Sequence, residues 1–321
     1  LKNTPDDFLL NGHDFKLDMK SEPVMTDEWF RQSFGSNAEF VKKYIGYMFY
    51  RSYAPFNIFT IVLGNGGDGK STLLNYVRRI IGAENTSNVS ITDLADTDKA
   101  KFLTAELHNK ELNYFADISD DLLTQSNLIK VLTGNDYITA QHKNQDPFNF
   151  RSYAKLIFSG NSLPPFNDFT EGFKRRPIIL RMNKIDDFSK HFDISKINAE
   201  IPAFTYECLK AFKSALDHRS DGLDQAMSIT GDMRQEVLEW TQSNDHVGEF
   251  IEQYCELDPN AYEPNYNVVG QYRRFCDDNG YKYLSRQKFN RRLASDKIQA
   301  NKQHKINGHN TKCYLGIRIK R

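Results

Sequence analysis

One stretch early in the chain has the residue types and the spacing of a phosphate-binding loop. The segment VLGNGGDGKSTLL contains the pattern G-x-x-x-x-G-K-S from Gly64 to Ser71. Glycines let backbone N–H groups converge on phosphates, the lysine adds a mobile positive charge, and the serine hydroxyl is a ligand for Mg²⁺. The pattern therefore predicts a site for ATP and Mg²⁺. Its residues are Gly64, Asn65, Gly66, Gly67, Asp68, Gly69, Lys70, Ser71 and Thr72.

A carboxylate follows a later apolar segment, LNYFADI, and is a second candidate for the same chemistry. Asp117 stands at the end of this predicted strand, where an acid can hold the Mg²⁺ shell through water or orient an attacking water. The alternative is that Asp117 only ends the strand or caps a helix. Asp120 and Asp121, a few residues on, are expected to cap the next helix.

The elements around these residues alternate between strands and helices. FNIFTIVLG reads as a buried strand entering the glycine loop, and KSTLLNYVRRIIG reads as a helix leaving it and ending at Gly82. KELNYFADI and AKLIFSGN are two more short apolar strands. This alternation predicts an α/β fold with a parallel sheet. Between the last two strands, DYITAQHKNQDPFNFRSY is typical of a β-hairpin.

The flanking regions are predominantly helical. Thr26 and Asp27 are predicted to cap the first of two N-terminal helices, and residues 186–230 form a helical connector or lid. From about Gln235 the expected order is helix, helix, helix, strand, strand, which is the order of a winged helix. We therefore divide the chain into residues 1–50 (helical N-terminal segment), 51–185 (P-loop ATPase core), 186–234 (connector) and 235–321 (winged-helix DNA-binding domain).

The composition excludes several classes of protein. The 321 residues carry 42 Lys and Arg against 42 Asp and Glu, so net charge gives no global reason to expect nucleic acid. The four scattered cysteines favour reduced thiols and a cytoplasmic setting over a disulfide framework or a zinc site. No apolar run reaches the ~20 residues of a membrane helix, so no membrane partner is expected. Because the chain begins at Leu1 without an initiator Met, we expect a piece of a longer protein.

The order of motifs resembles superfamily 3 helicases. GNGGDGKST, NYFADI, LIKVLTGNDYITAQHKNQDPFNF, AKLIFSGNSLPPFND and GFKRRPIIL follow one another as in the phage and plasmid primase-helicases, which are related to the poxvirus primase-helicase. The segment from Gly270 to Ile319 also resembles the winged-helix tail of that group. The resemblance implies an AAA+-type P-loop ATPase fold. It also implies an ATP-dependent DNA helicase or replication initiator of a phage or another mobile element, acting as a hexameric ring in the cytoplasm of a bacterial host.

The resemblance also implies roles for residues around the nucleotide. Asn161, which follows the strand KLIFSG, matches the sensor asparagine that hydrogen-bonds the γ-phosphate or the attacking water; taken alone it could equally form a turn. Arg175 and Arg176 fall where the family carries its arginine finger, usually supplied by the neighbouring subunit. Which of the two reaches the nucleotide stays open, as does the interpretation of a solvated basic turn.

In this family the hairpin handles DNA. The resemblance implies that its basic tip, Lys143 and then His142, grips the phosphates of a single strand in the central channel. Without the family context QHKNQD is an ordinary polar turn. The chain departs from the family at Ala116-Asp117, where many members carry Glu or two acids, which leaves the water-activating carboxylate undecided. No polymerising primase segment is present in these residues, so we expect no primer synthesis.

The C-terminal residues are strongly basic despite the overall neutrality. From Lys282 to Arg321 the sequence contains twelve Lys and Arg residues but a single acidic residue, Asp296. A basic third helix of a winged helix is a candidate reader of the major groove, with phosphate contacts from the wing at residues 305–312. A solubilising basic face or a protein-docking winged helix is the alternative. The candidate DNA contacts of this helix are Arg286, Lys288, Arg291 and Arg292.

Two other classes of function fit part of the sequence. A non-motor, nucleotide-gated DNA-binding protein that loads another replication factor needs the phosphate loop and the basic tail, but neither the hairpin nor the arginine finger. A small-molecule or nucleotide kinase fits the loop and leaves the hairpin and the tail unexplained.

Overall fold

The computed structural model describes residues 12–119, 121–123, 126–166, 168, 170–306 and 308–320. Contacts divide the chain into two units, Leu1–Leu238 and Glu239–Arg321. Asp120 and Arg321, two residues with predicted roles, lie outside the described residues.

The first unit contains a parallel sheet, a hairpin and helices. Its strands are β1 Phe59–Leu63, β2 Thr86–Ser87, β3 Leu112–Phe115, β4 Tyr137–Ala140, β5 Phe148–Arg151, β6 Lys155–Gly160 and β7 Pro177–Arg181. Its longer helices are α1 Val24–Phe34, α2 Ala38–Met48, α3 Lys70–Ile81, α5 Thr97–Leu103, α10 Ile201–Asp217 and, running on past residue 238, α12 Gly231–Ser243. Short helices are α4 Ile91–Leu94, α6 Asn127–Leu132, α7 Glu171–Lys174, α8 Phe188–His191, α9 Ile194–Ala199 and α11 Leu223–Met227.

Five strands form one parallel sheet in the order β2-β3-β6-β1-β7. Every residue of β1 and β6 is buried, because strands in the middle of a parallel sheet are covered on both faces. The predicted α/β fold with a parallel sheet is therefore confirmed. Strand β7 was not predicted as a strand, although the apolar run PIIL is a signal for one.

The strand order places the carboxyl ends of three strands side by side. β6 lies between β1 and β3, with Leu63 opposite Gly160 and Phe115 opposite Phe158. Loops that leave the carboxyl ends of parallel strands meet at one edge of the sheet, which is where α/β proteins bind ligands. The segments after β1, β3 and β6 therefore share that edge.

The N-terminal helices pack into the same aromatic core as the sheet. Trp29, Tyr44, Phe204 and Phe212 are buried there together with apolar residues of β1 and α3. The predicted start of α1 is wrong: the helix begins at Val24, ahead of Thr26, and two of its first N–H groups are capped by Glu200, which lies between α9 and α10. The Glu200 carboxylate accepts hydrogen bonds from the backbone N–H of Met25 (3.1 Å) and Thr26 (2.7 Å).

The predicted hairpin is present. β4 and β5 pair antiparallel, with Tyr137 opposite Arg151 and Ala140 opposite Phe148. Ile138, Ala140 and Phe150 are buried on one face of this two-stranded sheet, and the other face is exposed. Because side chains alternate between the two faces of a strand, one face of the hairpin packs against the protein. Residues 141–147 connect the two strands and form the tip of the hairpin.

The second unit is built from three helices and a three-stranded antiparallel sheet. Its elements are α13 His246–Tyr254, β8 Cys255–Pro264, α14 Asn265–Asn279, α15 Arg286–Ser295, β9 Gln299–Ile306 and β10 His309–Ile319. The sheet order is β8-β10-β9. The three helices and the last two strands follow the predicted order; β8, between the first two helices, was not predicted.

Two features bear on the chain as a whole. All four cysteines are free and buried. Among the described helices none is long and apolar enough to cross a bilayer.

Candidate nucleotide site and candidate nucleic-acid surfaces

The glycine loop lies between β1 and α3, as the sequence pattern requires. β1 ends at Leu63 and α3 begins at Lys70. Gly67 has φ +79° and Gly69 has φ +94°, a left-handed region that L side chains rarely adopt. These two glycines therefore allow the chain to turn directly into α3, whose first N–H groups have no partner within the helix.

The Lys70 amine is surrounded by acceptors. Its Nζ lies 2.9 Å from the carbonyl oxygen of Gly64 and 3.3 Å from that of Asn65. It also contacts both carboxylate oxygens of Asp68, at 3.0 and 2.9 Å, and Oδ1 of Asn161 at 3.1 Å. The structure thus brings the end of β6 to the lysine of the loop. Asp68, which the sequence offered only as a loop residue, is the partner that sequence reasoning missed.

A cleft of about 560 Å³ opens at this edge of the sheet. It is lined by residues Gly66 to Thr72 of the loop and α3, by Ala116 and Asp117 after β3, by Ser159 of β6 and by Asn161 directly after β6. The structure therefore gathers most of the predicted nucleotide residues around one cavity. Gly64 and Asn65 do not line it; their carbonyl groups contact Lys70 from the loop.

Asp117 enters this cleft from a left-handed turn. Its φ is +63°, and its side chain is exposed, directly after β3. The backbone N–H of Ile118 donates to the carbonyl of Ser159 (2.9 Å), which ties this turn to β6. Among the described residues that line the cleft, Asp68 and Asp117 are the carboxylates, and Asp68 is paired with Lys70. Asp117 is thus the carboxylate of the cleft that is open to solvent.

Apolar side chains form another part of the cleft wall. Trp29 of α1, Ile185 and Phe188 of α8 line it. The rings of Trp29 and Phe188 meet edge to face at 5.8 Å. Sequence reasoning missed these residues because Trp29 lies 35 residues before Gly64 and Ile185 lies 114 residues after Ser71. They reach the cleft because α1 and the segment after β7 pack against the core beside the sheet.

The two arginines after α7 have different environments. Arg175 is exposed, whereas Arg176 is 8% exposed and its Nη1 donates to the carbonyl oxygen of Gly172 (3.2 Å). Burial, and secondly the Arg175 cation, lower the pKa of the Arg176 guanidinium below its ordinary value. Arg176 therefore faces the protein interior, contrary to its prediction as a finger, and Arg175 is the one at the surface. Neither is among the described residues that line the cleft.

The hairpin tip separates its two predicted residues. Lys143 is exposed, while the ring of His142 is half-buried and stacks on Phe148, with centroids 5.4 Å apart and planes at 19°. The exposed face behind the tip carries a pair that the sequence did not single out. Tyr137, which is 67% exposed, lies under the guanidinium of Arg151 at 4.2 Å. Lys143 is thus an exposed cation at the tip, whereas His142 packs on Phe148 of β5.

In the second unit, α15 presents three of its four predicted cations to solvent. Arg286, Lys288 and Arg291 are exposed. Arg292 instead donates from Nε to both carboxylate oxygens of Asp245, each at 2.9 Å, and from Nη1 to Asp296 at 2.6 Å. Its side chain is 14% exposed. The prediction of Arg292 as a DNA contact is therefore not supported by its position.

Arg292 links two helices, so its replacement tests a structural role. Asp245 also caps α13 by accepting the backbone N–H of Gly248 (3.0 Å). We expect Arg292→Ala to lower the free energy of unfolding of this unit by roughly 2 kcal/mol, because it leaves a half-buried carboxylate without its partner. Urea denaturation would measure the loss. The matched change Arg291→Ala, on the exposed face of α15, should cost less than about 0.5 kcal/mol. Equal, small costs for both would contradict the structural role.

Comparisons with known proteins agree with this architecture. Residues 62–176 match a family of unknown function (DUF5906), and residues 242–319 match the Poxvirus D5 protein-like family. No curated protein matches the sequence. Among solved structures, the A form apo structure of the NrS-1 C terminal region aligns with a TM-score of 0.53 at 14% identity, covering 98% of this chain and 79% of that one.

A structure of the JCV helicase aligns with a TM-score of 0.42 at 10% identity, covering 82% of this chain and 66% of that one. The match to the NrS-1 region shows a shared fold, and the match to the poxvirus D5-like family covers the second unit. The resemblance to the poxvirus primase-helicase is confirmed for residues 242–319 by the match to the Poxvirus D5 protein-like family.

Proposed function

We propose that this chain is an ATP-dependent DNA helicase or replication initiator of a phage or another mobile genetic element. It acts as a homo-oligomeric ring, a hexamer by the resemblance, in the cytoplasm of the bacterial host. The observation that carries the proposal is the cleft in which Lys70, Asp117 and Asn161 meet at the ends of three adjacent strands. That arrangement suits the hydrolysis of a bound triphosphate rather than binding alone.

The residues of the cleft fit ATP and Mg²⁺. The loop N–H groups and the Lys70 amine would hold the phosphates. Ser71, exposed in the first turn of α3, and Asp117, exposed at the end of β3, supply one hydroxyl and one carboxylate. Mg²⁺ usually keeps several waters and takes few protein ligands, so this donor set is sufficient. The metal supplies charge neutralisation on the phosphate oxygens when it is bound.

The remaining groups have separate roles in hydrolysis. Asp117 and Asn161 orient the attacking water against the γ-phosphate, and the hydrogen bond between Asn161 and Lys70 couples this position to the phosphate loop. Arg175, exposed at the surface, is the residue that reaches the cleft of a neighbouring subunit and stabilises the charge on the transferring phosphoryl group. The ring is part of the proposal because the finger acts between subunits.

The apolar wall of the cleft is the place for the base, and its replacement is testable. We expect Phe188→Ala to weaken ATP binding by about tenfold, since a stacked aromatic contact with a base is worth about 1–3 kcal/mol. Binding of inorganic triphosphate, which has no base, should be unchanged. Calorimetric titration with both ligands measures the difference.

The control for Phe188→Ala, which changes a half-buried residue, is Phe102→Ala, which changes an exposed phenylalanine of the first unit that is not among the residues lining the cleft. Equal weakening of triphosphate and ATP by Phe188→Ala would instead indicate that the change disturbs the loop.

Two basic surfaces support DNA as the partner. Lys143 at the hairpin tip contacts phosphates of a single strand, which requires no reading of bases and therefore suits a motor. In this proposal the second unit acts as a winged helix, and Arg286, Lys288 and Arg291, which are exposed on its third helix, would contact an origin duplex.

Unwinding by the purified chain tests the proposal as a whole. A forked DNA duplex should be separated in the presence of ATP and Mg²⁺, but not with EDTA or a non-hydrolysable ATP analogue, and the active species should sediment as a ring. If the chain binds DNA in an ATP-dependent way but never separates strands, the nucleotide-gated loading protein becomes the better description. ATP turnover that needs neither DNA nor a ring would favour a kinase-like function.

A further inference from the structure

We propose that the Asp68 carboxylate is an internal competitor for the phosphate-binding lysine, displaced by the phosphates of an incoming nucleotide and returning as they leave. This inference rests on the proposed nucleotide site and concerns its regulation. It is carried by the pair that Asp68 forms with Lys70, in which the side chains are 3% and 12% exposed.

The Asp68 carboxylate is held inside the phosphate-binding loop by contacts with Lys70. Both oxygens lie within 3.0 Å of the Lys70 amine, and Oδ1 also accepts the backbone N–H of Lys70 at 3.2 Å. A Cβ atom on Gly64 would lie 1.6 Å from Oδ2 of Asp68. The absence of a side chain at Gly64 therefore makes room for the carboxylate of Asp68 as well as for a phosphate-binding turn.

The amine has more acceptors than protons to donate. An ammonium group has three N–H donors, and the Lys70 amine contacts two backbone carbonyls, the Asn161 amide and the Asp68 carboxylate. A phosphate oxygen can bind Lys70 only by replacing one of them. The carbonyls are fixed by the backbone, whereas the side chains of Asp68 and Asn161 can rotate away, and of these two only Asp68 carries a negative charge. Asp68 is thus the exchangeable anion.

This exchange lowers nucleotide affinity in two ways. Binding must break a charge-assisted contact, and the displaced carboxylate stays within a few ångströms of the phosphates, which it repels. An asparagine at position 68 keeps an oxygen that accepts the Lys70 N–H but removes the charge. We expect Asp68→Asn to tighten the binding of both ADP and ATP by about tenfold, or about 1.4 kcal/mol. The ADP dissociation rate should fall correspondingly.

The experiment compares the full chain with Asp68→Asn and Asp68→Ala. ADP and ATP with Mg²⁺ are titrated by calorimetry, and dissociation of a fluorescent ADP analogue is followed by stopped flow after addition of excess ADP. Asp278→Asn is the control, because it removes the same charge from an exposed aspartate of α14. Melting temperatures establish that each variant is folded.

The outcomes separate this inference from the proposed function. Tighter binding and slower ADP release in both Asp68 variants, with Asp278→Asn like the wild type, support the internal competitor. If the wild type binds nucleotide and folded Asp68→Asn binds it equally or more weakly, the inference is overturned and the proposed function stands. If none of the proteins binds nucleotide, the proposed function fails and the inference falls with it.

Discussion

Replacing Arg175 with alanine should lower ATP turnover by about 10³-fold while leaving nucleotide affinity close to that of the wild type. The expected effect is large because a guanidinium that contacts the transferring phosphoryl group stabilises charge that develops only in the transition state. Steady-state hydrolysis in the presence of DNA, together with a calorimetric titration of ATP, separates turnover from binding. Arg175→Lys should recover little activity, since an ammonium lacks the planar fork of donors.

Two neighbouring cations serve as matched controls. Lys174→Ala removes a partly exposed charge that pairs with Glu171 and should change turnover little. Arg176→Ala should lower the melting temperature, because Arg176 is buried against the carbonyl of Gly172. If Arg176→Ala, in folded protein, loses turnover as Arg175→Ala is expected to, while Arg175→Ala does not, the assignment of the two arginines is wrong.

Mixing variants tests whether Arg175 acts between subunits. Lys70→Ala removes the phosphate-binding lysine of its own subunit but keeps Arg175, whereas Arg175→Ala keeps Lys70 but lacks the arginine finger. In mixed rings, some interfaces pair the intact nucleotide site of an Arg175→Ala subunit with the intact arginine of a Lys70→Ala subunit. The mixture should therefore hydrolyse ATP faster than either variant alone. No gain on mixing, with mixed rings verified by tagged subunits, would place the arginine in its own subunit or outside the reaction.

The parallel sheet could be predicted because its signals are local. Apolar segments of four to six residues, each followed by polar residues, predict buried strands, and a glycine loop followed by an amphipathic helix fixes the entry to the site. Asp117 and Asn161 follow such strands, and the strand order places β6 between β1 and β3. The cleft forms where the segments that follow these three strands come together. The roles of its residues in binding and hydrolysis stay predictions.

The exposure and the ion-pair partners of individual charged side chains could not be predicted in the same way. Arg175 and Arg176 are adjacent and identical in the sequence, and only the turn after α7 determines that one is exposed and the other buried. Arg292 pairs with Asp245, 47 residues earlier. Helical spacing places Arg292 beside the buried residues Phe289 and Leu293, but it does not show which acid lies opposite.

Strand β8 was missed for a physical reason. Its sequence CELDPNAYEP contains Pro259, which lacks an N–H group and argues against a strand in the interior of a sheet. β8 lies at the edge of its sheet, paired among the described strands with β10 alone, and this pairing shifts register between Leu257 and Tyr262. An edge position accommodates a proline that a central strand would exclude, and the sequence alone does not distinguish the two.

Replacing Lys143 with alanine should abolish unwinding while leaving ATP hydrolysis nearly intact. Lys143 is exposed at the tip of a hairpin whose own packing rests on other residues, namely Ile138, Phe150 and the stacked pair of His142 and Phe148. Loss of Lys143 therefore removes a phosphate contact without removing the hairpin. In direct binding to single-stranded DNA, the slope of log affinity against log salt should fall by about 0.7, the value for one phosphate contact.

The controls distinguish a lost contact from a lost hairpin. Lys196→Ala removes an exposed lysine from α9 and should leave unwinding and the salt slope unchanged. His142→Ala removes a stacking partner of Phe148 and should disturb the hairpin itself, so its effect on unwinding should come with a lower melting temperature. If Lys143→Ala unwinds the forked duplex like the wild type, the tip does not grip DNA. The grip would then have to lie on the exposed face of the hairpin, where Arg151 and Tyr137 form the nearest cationic and aromatic pair.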